Sequence, residues 1–117
     1  MPMYWIICII RATSLRAVRE KLNDIGCLGM TVSECEGYGR QKGHKEVYRG
    51  AEYSFQLVPK VRLEIACTQG ELNLALQAIT EAGRTGPEGS IGDGKIFVLP
   101  LEDAVRIRTG ESGKQVL

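Results

Sequence analysis

Three separated segments of this chain carry residue types suited to gripping an anion. Gly89-Ser-Ile-Gly-Asp-Gly-Lys95 nearly spells the phosphate-binding pattern G-x-x-x-x-G-K-[ST]. It departs twice: Ile96 stands where a magnesium-binding hydroxyl belongs, and the residues after Lys95 read as a strand instead of a helix. A turn this rich in glycine can still aim backbone N–H groups at an anion, with Lys95 adding charge. The same glycines equally suit a plain turn. Arg106-Ile-Arg108 is the second segment. In an extended chain residues two apart share a face, so both guanidinium forks would point one way and match phosphate oxygens bidentately; the rival reading is a solvated edge. The third is Gly37-Tyr-Gly-Arg40, a G-x-G without the third glycine and following helix of a dinucleotide fingerprint.

That third segment opens a stretch, Gly37 to Tyr53, that holds four glycines, six charged residues and three tyrosines between two strand-like runs. Hairpin connections usually take about two to five residues, so one this long is either functional or disordered. Its four Lys/Arg against two Glu suit an anion or an acidic partner surface.

The elements that must position these segments are legible from periodicity. Tyr4 to Ile10 is a short Ile-rich run, expected as a strand buried on both faces. Thr13 or Ser14 is expected to cap a helix with Leu15, Val18, Leu22 and Ile25 on one face, closed by Gly26. Met30 to Glu36 reads as a strand, and Phe55 to Cys67 as a long one whose Pro59 suits an edge or a bulge. Thr68-Gln-Gly-Glu71 has the form of a capping box. The helix behind it sets Leu72, Ala75, Leu76, Ile79 and Ala82 on a core stripe and ends at Gly83. Shifting the first helix by 57 positions lays Leu15, Val18, Leu22, Ile25 and Gly26 on Leu72, Ala75, Ile79, Ala82 and Gly83. With a last strand at Lys95 to Leu99, two β-α-β units predict an α+β ferredoxin-like βαββαβ sandwich, both helices on one face of an antiparallel sheet. The other face would then expose apolar residues, so self-association is expected.

Composition narrows the function classes. At 117 residues the chain forms one domain, and 44% hydrophobic with 25% charged residues is ordinary for a globular protein. A net charge of +1 argues against nucleic acid as the main partner. Central-strand aromatics for base stacking are also expected to be absent, against an RNA-binding module. No run approaches the ~18 apolar residues of a membrane span, and no secretory leader is read at the start, so a cytoplasmic protein without membrane insertion is expected. Cys8, Cys27, Cys35 and Cys67 lack C-x-x-C spacing and His44 is the single histidine, so the thiols read as buried and reduced.

Gly29-Met-Thr-Val32, Gly37-Tyr-Gly-Arg-Gln-Lys-Gly-His44, Tyr48-Arg-Gly-Ala-Glu-Tyr53, Pro59-Lys60, Ile91-Gly-Asp-Gly-Lys-Ile-Phe97 and Arg106-Ile-Arg-Thr-Gly-Glu111 occur in that order over nearly the whole chain. Jointly they resemble the PII nitrogen-regulatory signal-transduction proteins. The resemblance implies a homotrimer with ATP or ADP in clefts between subunits, a single domain 1–117, a docking arm (the T-loop) at 37–55, a second loop at 84–94 on the phosphate side, and a C-terminal arm at 101–117. It implies Thr31 and Ala66 near adenine and ribose, Gly37, Tyr38, Gly39 and Arg40 along the nucleotide, and Gly92, Asp93, Gly94 and Lys95 at the phosphates. Arg106 and Arg108 would reach in from the neighbouring subunit. Gln41 would help bind Mg²⁺, which also coordinates the effector 2-oxoglutarate; Gln41, Lys42, Gly43 and Lys60 would hold that ligand.

On the same resemblance the targets are an ammonium transporter or nitrogen-metabolism enzymes, and Tyr53 matches the tyrosine that a uridylyltransferase modifies in many bacterial relatives. Ala51 replaces a serine phosphorylated in some cyanobacterial ones. Two departures stand out: Ala12-Thr13 follows Arg11 where Pro-Phe is usual, and the 87–91 loop is about three residues longer than usual, an extension that costs little to close. The chain is expected to be a sensor and not an enzyme, since no positioned base or nucleophile accompanies the nucleotide contacts. The alternatives are a divergent adenine-nucleotide sensor for another metabolite and a small nucleotide-dependent enzyme.

Overall fold

The computed structural model describes residues 2–27, 29–40, 46–48, 51–53 and 55–117. Its order is β1 (Met3–Arg11), a 3₁₀ turn (Ala12–Ser14), α1 (Leu15–Asp24), β2 (Thr31–Arg40), β3 (Glu46–Tyr48), β4 (Ala51–Tyr53), β5 (Phe55–Thr68), α2 (Gln69–Gly83), β6 (Gly94–Leu101) and a 3₁₀ turn (Lys114–Val116). The main sheet runs β2-β5-β1-β6 with every neighbour antiparallel, and β3 pairs β4 in a separate two-stranded ribbon. This is the expected ferredoxin-like α+β sandwich.

Alternation makes the core. On β1, Ile6, Cys8 and Ile10 are buried, and on β5 so are Val61, Leu63, Ile65 and Cys67. Register places Ile6 opposite Ile65 and Cys8 opposite Leu63, so these side chains form one layer. Val18 and Leu22 of α1 and Ala75, Ala78 and Ile79 of α2 pack onto them. The opposite face of β1 stays half-buried at Ile7 and Ile9, so that strand is not enclosed on both sides in one chain. Trp5, Phe97 and Leu99 are 36%, 48% and 40% exposed. Register puts Trp5 opposite Leu99 and Ile7 opposite Phe97, which joins them into an apolar patch on the open face. Trp5 on central β1 also corrects the expectation that the central strands lack aromatics.

Helix ends separate what the matched halves share from what they do not. The capping box at α2 is present: the Glu71 carboxylate accepts from Thr68 N at 3.0 Å and Thr68 Oγ1 at 2.8 Å. No such cap starts α1. The chain leaves β1 through the 3₁₀ turn, and Ser14 has helical backbone angles with no side-chain bond to the helix. Gly26 adopts a φ of 82° and closes α1 as expected. Gly83 ends α2, also as expected, but without a left-handed turn: it is the last helical residue, buried, with an added Cβ meeting Ile10 and Val18 methyls at 4.0 Å. One glycine serves the turn, the other close helix–sheet packing.

The expected 37–55 loop is shorter at its base. The β2–β5 ladder continues through Gly37↔Val58 to Arg40↔Phe55, extending both strands beyond the rest of the sheet. Pro59 falls in that extension, one residue past Lys60, which is the last β5 residue opposite β1. It is thus paired on one side only, where a missing N–H is tolerated. Replacing Leu63, wholly buried at the sheet centre, by alanine is expected to lower unfolding free energy by about 2–5 kcal/mol in urea titrations, from lost burial plus a residual cavity.

Candidate functional site

Several of the residues singled out by sequence collect toward the two ends of the β5 stretch that pairs with β1, Lys60 to Thr68. Lys60 lies at one end and Ala66 six positions on, which at ~3.3 Å per residue separates them by about 20 Å. Both fall on the open sheet face, because the intervening odd-numbered residues are buried.

At the Lys60 end, two cations meet the 84–94 segment. Lys60 Nζ donates to Gly92 O. Arg11 donates through Nη2 to Ile91 O at 2.8 Å and through Nε to Asp93 Oδ1 at 3.1 Å. Arg11 was not singled out by sequence. It ends an apolar run like many strand-terminal residues, and only the register Arg11↔Lys60 shows the two cations to be neighbours. Burial first, and then the Arg11 charge, lower the Lys60 pKa, with Asp93 and Cys35 pulling the other way. Gly37 completes this end. A Cβ there would stand 2.8 Å from Lys60 Cγ, so the absent side chain is what lets the lysine stem cross the strand.

Asp93 is the organiser of the loop. Its Oδ1 also accepts from Thr85 Oγ1 at 2.6 Å, and its Oδ2 from Thr85 N at 3.0 Å and Ser90 N at 2.8 Å. Its own N–H donates to Ser90 O at 3.1 Å. Asp93 is expected at the phosphates; here its carboxylate fastens the loop from within. Gly92 and Gly94 have φ of 100° and 114°, and a Cβ at Gly94 would run into the Ile9 carbonyl. The glycines therefore serve a fixed turn leading Lys95 into β6, with Lys95 opposite Ile9.

At the other end Thr31 and Ala66 come together. They line a cleft of ≈ 570 Å³ with Trp5, Glu64, Glu71 and the C-terminal Val116 and Leu117. That volume lies within the ~300–1,000 Å³ of small-molecule sites. Glu64 is held at 2.8 Å by Arg62 Nε. Trp5 and Glu64 were also missed by sequence; both belong to alternating strands and become site residues only through register.

Arg106 and Arg108 do not form an extended pair. Gly110 N donates to Arg106 O at 2.8 Å, so 107–109 turn back, and Val105 bridges Ser112. Arg106 Nη1 pairs with Glu111 Oε1 at 3.0 Å and Nη2 reaches Gln115 O at 3.4 Å, which sets Arg106 beside the tail that lines the Thr31 cleft. Ile107 between them is fully exposed. Tyr53 lies on β4 opposite Glu46, while Gln41, Lys42 and Gly43 lie outside the described residues.

Cys8, Cys27 and Cys67 are buried and all four thiols are free. Burial raises the Cys8 and Cys67 pKa values to about 11, so both stay protonated at neutral pH. Among the described residues no group of three or more His, Cys, Asp or Glu is placed to hold a metal ion, and no helix is long and apolar enough to cross a membrane.

Burial alone would raise the Asp93 pKa, but the donors from Thr85, Ser90 and Arg11 outweigh it and hold the carboxyl well below its ordinary 3.8. A depressed acid stabilises the fold fully above its unfolded value and loses that contribution as pH falls below it. Asp93→Asn is expected to cost about 2 kcal/mol near neutrality, the worth of hydrogen bonds to a charge. The variant should also lose less further stability than the parent below pH 3.8, read from urea midpoints at stepped pH.

Comparison with known proteins agrees with this fold. The family model described as nitrogen regulatory protein P-II matches residues 3–111. The nitrogen regulatory protein P-II of Pasteurella multocida is 49% identical over 112 residues, 96% of this chain and 97% of that one. The nitrogen regulatory protein GlnK of Escherichia coli K12 is 46% identical over 115 residues, 98% and 100% of the two chains. Among solved structures, B. subtilis GlnK superposes with a TM-score of 0.80 at 30% identity, covering all of both chains. Its ATP complex gives 0.79 at 26% identity, covering 99% and 98%. These relatives are named as regulators, not enzymes. Matched over almost its entire length, the chain belongs to the nitrogen regulatory protein P-II family.

Proposed function

We propose that the protein senses cellular energy and carbon status by binding ATP or ADP, and with Mg-ATP also 2-oxoglutarate, in sites completed by neighbouring copies of itself. The observation that carries this reading is the division of the site. Thr31, Ala66 and Arg106 gather toward one end of the β5 stretch that pairs with β1, and Gly37, Lys60 and Gly92 to Lys95 at the other. About 20 Å of strand lies between them, and one rigid sheet holds both. A second copy docked head to tail brings the two ends together, and such heterologous contacts close into rings. A homotrimer is the ring we propose. The apolar patch at Trp5, Phe97 and Leu99 supports it, because burying it on association removes that surface from water. The solved GlnK–ATP complex supports the choice of nucleotide.

Within that site the base and ribose lie at Thr31 and Ala66, and Gly37 to Arg40 follow the nucleotide. The loop that Asp93 fastens presents Gly92, Gly94 and Lys95 to the phosphates, with Arg106 and Arg108 arriving from the adjoining copy. Gln41, with phosphate and keto-acid oxygens, suits the all-oxygen shell that Mg²⁺ prefers. Lys60 pairs with the distal carboxylate of 2-oxoglutarate, with Gln41, Lys42 and Gly43 around the ligand. Lys60 donates to Gly92 O, and a carboxylate drawing on its other N–H groups would join that contact and so act on the base of the 37–55 arm. The arm docks on an ammonium transporter or nitrogen-metabolism enzyme, and Tyr53 on it accepts a uridylyl group where a uridylyltransferase is present.

Calorimetry tests the assignment. Arg106→Ala is expected to weaken ATP binding by about 1.5–3 kcal/mol, the worth of a charged hydrogen bond; undiminished affinity would remove Arg106 from the site. Lys60→Ala is expected to abolish 2-oxoglutarate binding in the presence of Mg-ATP while sparing ADP. ATP binding by the parent with no 2-oxoglutarate response would point to another metabolite as effector. Light scattering reporting a single chain would contradict the shared site.

A further inference from the structure

Two isoleucines stand out of the fold beside residues assigned to phosphate. Ile107 is fully exposed between Arg106 and Arg108, and Ile91 is 63% exposed directly before Gly92. Both sit on fastened backbone. Around Ile107 the chain turns back on itself: Arg106 N donates to Glu111 O and Gly110 N to Arg106 O, both at 2.8 Å, and Val105 bridges Ser112. Glu111 N also donates to Thr109 Oγ1 at 3.2 Å. Ile91 is held from both sides, by the Ser90 N–H on Asp93 Oδ2 at 2.8 Å and by its own carbonyl, which accepts from Arg11 Nη2 at 2.8 Å. Each turn thus spends polar groups internally and holds one large aliphatic side chain out in water. A single exposed aliphatic is ordinary. What sets these two apart is their place, each one residue from a proposed phosphate contact and on opposite halves of a divided site.

We infer that Ile107 of one copy seats against Ile91 of the next, an apolar contact that fixes the arginine turn beside the phosphates. The inference rests on the shared site proposed above and adds its positioning residues. Within one chain the two do not meet. Ile91 belongs to the Lys60 end, where Arg11 and Lys60 hold the carbonyls of residues 91 and 92. Ile107 belongs to the Arg106 end, about 20 Å away along β5. The docking that carries Arg106 and Arg108 to Gly92 carries the residue between them to the residue before it. Burying two aliphatic side chains favours that docking. Because both turns are already fastened, little further ordering opposes it. Apolar cover beside the phosphates also keeps water out, which strengthens the attraction between arginine and phosphate. Ile107 and Ile91 act through the cations and carbonyls beside them and need touch no nucleotide.

Cross-linking reads the contact. Ile91→Cys and Ile107→Cys are made singly and together in the full chain and oxidised with copper–phenanthroline. The double variant should run as a covalent trimer on a non-reducing denaturing gel. Each single variant should run as the parent does, which controls for the partly exposed Cys35. A double variant that links no more than the singles overturns the contact. Calorimetry reads its role. Ile91→Ser and Ile107→Ser should each weaken ATP binding at least about threefold, and together by less than the product of the two losses, since either change alone breaks the contact. Ile107→Val, which keeps an aliphatic side chain, should bind ATP as the parent does. Full affinity in both serine variants, losses that multiply, or a weakened valine variant overturns the positioning role. A parent that scatters light as single chains, or binds no ATP, ends the shared-site reading and this contact with it. A ring that binds ATP without the extra cross-link ends the contact alone.

Discussion

The period of two along β5 constrains everything else in this molecule. One set of its residues, Val61, Leu63, Ile65 and Cys67, is sealed under the helices, so Lys60, Arg62, Glu64 and Ala66 must stand on the other face. A slip of one residue would exchange the two sets, exposing the core and burying a lysine, an arginine and a glutamate. Register is therefore held by burial free energy, and the placement of the site residues comes with it. The same rigidity keeps the two halves of the site apart, since a strand does not fold back on itself.

The Lys60 end illustrates how polar groups are managed at such a boundary. Two cations side by side would repel, yet Arg11 and Lys60 converge on the carbonyls of residues 91 and 92, with the Asp93 carboxylate against Arg11. The carboxylate satisfies four donors from three residues, which turns a glycine-rich segment into a fixed structure without apolar packing. Among the described residues no buried side-chain nitrogen or oxygen lacks a partner. Such a loop is stable in one shape, but its cations remain exchangeable, since a ligand carboxylate can replace a carbonyl at little net cost.

Repetition in the sequence had a limited physical meaning. The apolar positions of α1 reappear in α2, and both helices do bury those faces against the same sheet. The ends differ because their neighbours differ. Gly26 must turn a chain that leaves toward β2, and Gly83 must admit Ile10 and Val18 against the helix backbone. The α2 capping box replaces the 3₁₀ entry of α1 for a similar reason: α2 starts directly from Thr68 at the end of β5, with no intervening turn.

Local pattern determined the elements, the fold class and the types of residue that would contact an anion, because helix and strand periods and glycine's backbone freedom act over a few residues. A family resemblance in the sequence also pointed to Lys60, Gly37, Thr31 and Ala66 as candidate site residues. Only the tertiary structure decided which of these meet. Arg11 beside Lys60, Trp5 and Glu64 beside Ala66, the folded-back Arg106 and the inward carboxylate of Asp93 all arise from register or from turns between distant residues. Such proximity depends on how strands align to bury one face, and no short window of sequence encodes that alignment.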